Sequence, residues 1–235
     1  EEAYAAQKLG AIGTLLSVLS HFFEGGHWGA PSSTLSVPDR IRLLMDVGAY
    51  LAAVRGYGAS GIEECYSTAV ELCQQASDDF QLFVSTFGLW RYTLLRGQAR
   101  QSDTLAAELQ LMASSKNEPR YSLATERALS STMYYRGRFA QCLTHALKGI
   151  DAMGGVDRSL RARLAQLFVN EPGASCMGYR ALAECFLGLP DTAIQHALAA
   201  TMEAKSMEHP HTEAICLLIE GMIHQFQLRF SETIV

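Results

Sequence analysis

Charged residues are scarce in this chain of 235 residues, and their balance excludes several classes of protein. Only 18% of the residues are Asp, Glu, Lys or Arg, whereas 49% are hydrophobic, which is typical of a folded chain and not of a disordered one. The net charge is −5. Because no basic surface is expected, we predict neither direct nucleic-acid binding nor attraction to an anionic membrane.

A hydrophobic run of membrane-spanning length is also missing. The longest uncharged stretch, Leu9 to Phe23, is shorter than the roughly 20 residues that a helix needs to cross a bilayer. It follows the acidic pair Glu1-Glu2 and no basic segment, which does not fit a secretory signal. Since the first residue is not Met, we expect the chain to be a piece of a longer protein.

Motifs for catalysis, cofactors and disulfides are absent from the sequence as well. It contains no phosphate-binding GxxxxGK[ST], no nucleophile elbow and no CxxC. We therefore predict no catalytic residues, no cofactor and no metal. Most cysteines fall on apolar helix faces, where a free thiol acts as a small hydrophobe, and this favours a reducing cytoplasmic location. The six are Cys65, Cys73, Cys142, Cys176, Cys185 and Cys216.

What the sequence does contain is helical periodicity from end to end. Apolar residues recur at i, i+3, i+4, i+7, i+8 and i+11 in segments beginning at Ile62, Phe139 and Ile215. No segment shows the strict alternation of a half-buried strand. The prolines all fall between the helical patterns, where an all-α chain needs them. Residues 3–23 also have helical spacing, and a loop is predicted from Glu24 to Pro38.

The helices recur with a period of about 40 residues, which indicates a repeat architecture. Four turns carry a glycine, namely Gly56, Gly97, Gly137 and Gly188, and we assign the longer last interval to an insertion within residues 154–172. The clearest unit is a helix pair over Ser77 to Ala113. Small residues occupy the fifth position after the turn glycine (Ser102, Cys142, Ala193) and the ninth (Ala106, Ala146, Ala197). Paired helices can approach closely at such positions.

At several of these segments the chain resembles a family of tetratricopeptide-like regions in bacterial multidomain signalling proteins. The resemblance covers roughly residues 38–229. The segments that carry it include Val54-Arg55-Gly56-Tyr57, Tyr135-Arg136-Gly137-Arg138-Phe139, Leu187-Gly188-Leu189-Pro190-Asp191-Thr192-Ala193 and Glu208-His209-Pro210-His211. In that family the region follows a STAND-type or AAA-like ATPase module, often with a class III adenylate/guanylate cyclase or a DNA-binding regulator.

The resemblance and the repeats together predict an all-α superhelix, a right-handed solenoid of about five helical hairpins. We expect residues 38–235 to form this domain, with residues 1–37 as an N-terminal helix and loop packed on it. In such a superhelix the first helix of each pair lines the concave groove. That geometry directs Arg91, Arg127, Tyr134 and Tyr179 to the groove, unless the aromatic residues are ordinary core.

Four other groups of residues could have a function, but for each of them we favour a simpler structural interpretation. Cys216, Glu220 and His224 share a helical spacing that could hold zinc, but the helix is otherwise core-like. The pair His209 and His211 fits a solvated turn better than a proton-transfer site. The basic cluster of residues 158–163 fits a solvated face better than a binding surface. Gly56 to Gly61 spells GxGxxG, but it follows a helical segment, so we interpret it as a helix connection.

We therefore predict a non-catalytic module that recognises a protein, a peptide or a small-molecule effector. By doing so it would regulate an attached ATPase, cyclase or transcription regulator in the same chain. A purely structural scaffold or oligomerisation module is the alternative, and an all-α enzyme is the third hypothesis.

Overall fold

The structure is a computed structural model, which describes residues 27–116 and 118–229 together with residues 21 and 23. The helix predicted over residues 3–23 lies outside the described residues. In the part that is described, 10 helices are present and no β-strand, apart from an isolated bridge between Phe23 and Pro31. The all-α class is therefore confirmed.

The chain divides into two compact units, Glu1–Leu105 and Ala106–Val235. The first contains α1 (Val37–Arg55), α2 (Ile62–Ala76), α3 (Asp79–Leu95) and the start of α4 (Ala99–Ser114). The second contains α5 (Pro119–Tyr135), α6 (Phe139–Met153), α7 (Arg158–Leu167), α8 (Pro172–Phe186), α9 (Pro190–Ser206) and α10 (Pro210–Phe226).

Within each unit, helices pack mainly on their neighbours in sequence. In the first unit α2 packs against both α1 and α3. In the second, α5 pairs with α6, and α8 contacts α6, α9 and α10. Short connections make neighbouring helices antiparallel, so each unit is built from stacked helical hairpins. This arrangement is the one expected of an α-α repeat protein.

Local sequence signals define where the helices begin. The first residue of α5, α8, α9 and α10 is a proline, whose missing N–H would be unpaired there anyway. Asp78 caps α3 by accepting a hydrogen bond from the Gln81 N–H at 3.0 Å. The predicted boundaries of the central helix pair are confirmed to within a residue or two.

The turn glycines have the backbone conformation that the repeat pattern predicted. Gly56, Gly97, Gly137 and Gly188 have φ between 68° and 83°, in the left-handed region that side chains disfavour. The small residues at the fifth and ninth positions after a turn glycine are buried at helix contacts, as the repeat pattern predicted. All six, from Ser102 to Ala197, are at most 2% exposed.

One aromatic ring joins three helices in the core of the first unit. Tyr66 on α2 lies between Gly48 of α1 and Gly88 of α3, and a methyl group at Gly88 would meet the ring at 2.8 Å. The tyrosine hydroxyl accepts a hydrogen bond from Arg91 at 3.3 Å. The helices α1, α2 and α3 thus meet at the Tyr66 side chain, because α1 and α3 each have a glycine at the contact.

The structure adds one helix to the predicted set. The insertion within residues 154–172 is not a plain connection but contains α7, capped by Asp157, which accepts from the Leu160 N–H at 2.9 Å. The helix α10 also differs from its predicted apolar face. Leu218 is 58% exposed, whereas the polar Glu220 is buried because its carboxylate accepts a hydrogen bond from Thr201 at 2.7 Å.

Enlarging the small residues should destabilise the second unit. Ala146→Leu and Ala197→Leu each place a larger side chain at a fully buried helix contact, and we expect a loss of about 1–3 kcal/mol in the free energy of unfolding. Ala140→Leu, at an exposed position on the same helix as Ala146, is the matched control. Chemical denaturation measures the difference, and equal midpoints for Ala146→Leu and Ala140→Leu would contradict the register.

Candidate functional site

The residues predicted to line a groove are divided between the two units. Arg91 belongs to the first unit, where it is 7% exposed and donates to the Tyr66 hydroxyl. Arg127, Tyr134 and Tyr179 belong to the second unit. Their role in lining a binding groove stays a prediction.

The three residues of the second unit come together. The rings of Tyr134 and Tyr179 are 5.7 Å apart, centroid to centroid. Burial raises the pKa of the Tyr179 hydroxyl, and the nearby Arg127 guanidinium partly opposes that shift. Burial likewise raises the pKa of Tyr134 to about 12. At neutral pH both phenols are therefore uncharged, and Arg127 is itself only 5% exposed.

These tyrosines belong to a larger aromatic cluster, which we call the aromatic ladder. Phe139 and Phe186 stack at 4.4 Å with nearly parallel rings, and Phe186 meets Phe226 at 5.0 Å. Tyr134 contacts both Phe139 and Phe186 at about 6 Å. The ladder therefore spans four helices, α5, α6, α8 and α10. Its members are Tyr134, Tyr135, Phe139, Tyr179, Phe186 and Phe226.

Much of the ladder faces solvent. Tyr135 is 50% exposed, Phe186 43% and Phe226 45%. Exposed leucines at the neighbouring turns extend the apolar strip, namely Leu187, Leu189 and Leu228. Apart from Tyr179, which lies in the middle of α8, each ladder residue lies at a helix end beside a turn. Gln227 connects two of these turns by donating a hydrogen bond to the Pro190 carbonyl at 2.9 Å. The ladder is thus a continuous apolar strip along the turn edge of the second unit.

Sequence reasoning identified Tyr134 and Tyr179 but missed the rest of the ladder. The available signal was an aromatic residue within two positions of a turn glycine, as at Tyr135, Phe139 and Phe186. From the sequence, Phe139 was expected on the apolar face of its helix. The common exposure and contact of the ladder residues depend on how the hairpins stack.

A buried ionic network lies at the other end of the same helices. The Glu171 carboxylate is 0% exposed and accepts hydrogen bonds from Arg161 Nε at 3.1 Å and Nη2 at 2.9 Å. It also caps α8 by accepting from the N–H groups of Gly173 and Ala174. A third Arg161 nitrogen donates to Glu203 on α9 at 2.7 Å. The pair is therefore largely enclosed by the protein, and both Glu171 carboxylate oxygens accept hydrogen bonds from Arg161.

The solvated-face interpretation of residues 158–163 is wrong for Arg161, which is 8% exposed. The desolvation of its charge is offset by the two carboxylates that it contacts. Arg158 donates to the Ser206 carbonyl at the end of α9, and Arg163 is exposed. The cluster thus joins the inserted helix to α8 and α9.

The turn at His209 is part of the same network. The backbone N–H of Glu171 donates to the Thr212 hydroxyl at 2.9 Å, and that hydroxyl lies 2.8 Å from His209 Nδ1. The same ring nitrogen accepts from the Thr212 N–H at 3.3 Å and caps α10. Burial lowers the pKa of His209, which agrees with a neutral ring that accepts hydrogen bonds.

The zinc hypothesis finds no support in the described residues, among which no group of three or more His, Cys, Asp or Glu side chains is arranged to hold a metal ion. Cys216 contacts the Ala174 carbonyl in the core, and burial raises the pKa of its thiol to about 12. The Glu220 carboxylate already accepts a hydrogen bond from the Thr201 hydroxyl. A protonated thiol and an occupied carboxylate are poor ligands.

The second unit also contains a depression of about 280 Å³. It lies between the start of α5 and the end of α6. Its volume lies just below the range of roughly 300–1,000 Å³ that is usual for ligand sites. Its lining is mixed in polarity and does not include the residues predicted for the groove. The residues concerned are Lys116, Glu118, Pro119, Ser122, Asp151, Ala152 and Gly155.

Comparison with known proteins assigns no family to this arrangement. No family model matches the chain, and no curated protein is significantly similar to it. Among the residues that the structure describes, no helix is both long and apolar enough to span a membrane. What the fold and the candidate site define is an all-α repeat protein with an exposed aromatic strip on its second unit.

Removing Arg161 should leave the buried Glu171 carboxylate without its counter-ion. We expect Arg161→Ala to lower the free energy of unfolding by about 3–5 kcal/mol, because an unpaired buried charge is costly. Arg163→Ala, an exposed position on the same helix, serves as the control and should change stability little. Urea denaturation of both variants checks this, and equal stabilities would contradict a structural role for the network.

The stability of the protein should fall when His209 is protonated. Its folded-state pKa lies below the ordinary value of 6.5, so the unfolded chain takes up the proton more readily. The stabilisation by the neutral His209 ring is complete above the ordinary pKa value of 6.5 and is lost as the pH falls below 6.5. His209→Asn keeps a capping side chain that does not titrate, so it should flatten this part of the stability-pH curve.

Thermal melts between neutral and mildly acidic pH measure this effect, with His27→Asn as the control at an exposed histidine. A curve for His209→Asn that still parallels the wild-type curve would show that His209 does not contribute.

Proposed function

We propose that the chain is a non-catalytic interaction module that binds a protein partner through its second unit. The observation that carries this proposal is the half-exposed aromatic ladder that spans α5, α6, α8 and α10. Aromatic rings are costly to leave in water and contribute strongly to binding when a partner covers them. A continuous apolar strip of this kind is typical of an interaction surface.

The helices that carry the ladder are packed rigidly, which favours binding of a protein partner. The strip is held by helix ends whose packing depends on fully buried small residues such as Ala193 and Ala197. A surface on such rigid elements loses little conformational entropy when a partner binds. This favours a preformed binding surface over one that folds on contact.

The regulatory part of the proposal comes from the resemblance to tetratricopeptide-like regions of bacterial signalling proteins. A module that binds a partner in one state of its parent protein shifts the equilibrium towards that state. The partner domain would then be an attached ATPase, cyclase or transcription regulator, or a separate protein that controls it. A small-molecule effector at the depression beside Asp151 would act through the same unit.

Affinity capture with the whole chain as bait tests this function. Partners are quantified by mass spectrometry for the wild type, for Phe186→Ser in the ladder and for Met202→Ser. The last removes an apolar side chain that is 72% exposed but lies outside the ladder. We expect at least one partner to be retained by the wild type and Met202→Ser and reduced about tenfold with Phe186→Ser.

Circular dichroism melts of the three baits confirm that each is folded at the capture temperature. Partners that bind all three equally, or no reproducible partner at all, would contradict a binding role for the ladder.

A further inference from the structure

The helix α7 is an insertion between two hairpins of the second unit, and polar contacts attach it to the second of them. Arg161 forms ion pairs with Glu171 at the start of α8 and with Glu203 on α9. Arg158 donates a hydrogen bond to the Ser206 carbonyl at the end of α9. Both arginines therefore connect α7 to helices that follow it in the chain.

The helical structure of α7 depends on its being docked. With 10 residues, the helix is shorter than the roughly 12–15 residues that an isolated helix needs in water. Its apolar face is also short, although it is well buried, because Leu164 is 0% exposed and Phe168, directly after the helix, is 1% exposed. These two side chains and the ion pairs make the docked state the stable one, and a detached α7 would unfold.

The backbone is strained at the junction between α7 and α8. Val169 has a φ of 70°, in the left-handed region, where a β-branched residue is an outlier. The corresponding residues after α5 and α8 are Gly137 and Gly188, which adopt this conformation without a side chain. Strain of this kind persists only while the surrounding contacts enforce it, and it is typical of segments that switch between conformations.

The next residue, Asn170, adds a second cost to the docked state. It is 5% exposed, and its side-chain oxygen is buried without a hydrogen-bond partner among the residues that the structure describes. A buried carbonyl oxygen that accepts no hydrogen bond is unfavourable, whereas water satisfies it once it is exposed. Detachment of α7 therefore relieves the strain at Val169 and hydrates Asn170, and both effects oppose the ion pairs of Arg161.

We propose that the segment from Gly154 to Asn170, which we call the α7 strap, opens as a unit while the other helices of the second unit stay folded. In the closed state Arg161 holds the strap to α8 and α9. In the open state α7 is unfolded, and the strap moves about Gly154-Gly155, where no side chain restricts the backbone. Local openings of this kind occur at lower free energy than global unfolding.

Opening of the α7 strap changes the surface of the second unit. It uncovers the Glu171 carboxylate, which is 0% exposed in the closed state and then keeps only its hydrogen bonds from Gly173 and Ala174. It also uncovers the apolar surface beneath Leu164 and Phe168. The strap is therefore a conformational device that hides a negatively charged site at the start of α8. This inference goes beyond the proposed interaction function and does not depend on the ladder.

Hydrogen exchange of the whole chain, resolved by mass spectrometry of peptic fragments, tests the proposal. We expect the amides of residues 158–168 to exchange at least about tenfold faster than those in the centres of α6 and α8. Trypsin provides an independent measure, because α7 contains three arginines that the closed strap protects. Cleavage under native conditions should therefore begin within α7.

Two asparagine substitutions form a matched pair. Asparagine tolerates the left-handed conformation, so Val169→Asn stabilises the closed strap and should slow exchange in α7 about fivefold. Leu228→Asn makes the same change at a φ of 58° after α10, outside the strap, and should leave exchange in α7 unchanged. Arg161→Ala should accelerate exchange in α7 about a hundredfold, whereas Arg163→Ala, at an exposed position, should not.

Amides of α7 that exchange as slowly as those of α6 and α8 would show that α7 opens only when the whole unit unfolds, and would overturn this inference. Equal exchange in α7 for Val169→Asn and Leu228→Asn would also overturn it, because the strain at Val169 would then not be released on opening. Neither result bears on the proposed function, which affinity capture with Phe186→Ser tests separately.

Discussion

The second unit depends on the ion pair and the hydrogen bonds that the buried Glu171 carboxylate makes. This carboxylate accepts hydrogen bonds from Arg161 on the inserted helix and from the first N–H groups of α8. Its backbone N–H contacts Thr212 at the start of α10, while Arg161 also reaches Glu203 on α9. One ion pair therefore joins four helices at the point where the insertion interrupts the repeat.

The position of α8 in turn determines the ladder. Its small residues let neighbouring helices approach closely, because a methyl group at Gly178 would lie 2.7 Å from Ile219 on α10. Gly149 on α6 makes a similarly close contact with Cys176 on α8. With both faces of α8 fixed, its last turn places Phe186 between Phe139 and Phe226. The ion pair at one end of the helices thus determines the position of the aromatic ladder at the other end.

Much of the fold could be predicted because it follows local rules. Turn glycines such as Gly137 and small residues such as Ala146 act within one hairpin, and their spacing is visible in the sequence. The inserted helix was missed because its apolar pattern is weak. The burial of Arg161 was missed because its partners are 10 and 42 residues away. The ladder is non-local in the same way, since its exposed rings come from three helices that are well separated in the sequence.

The most direct test of this account is to measure nuclear Overhauser effects between phenylalanine rings in the free protein. Selective labelling of the Phe rings, with assignment by single substitutions, resolves the contacts of Phe186. The account predicts cross-peaks from Phe186 to both Phe139 and Phe226, since their ring centroids are 4.4 and 5.0 Å apart. The absence of either cross-peak would show that the ladder is not continuous and would contradict the surface on which the proposed function depends.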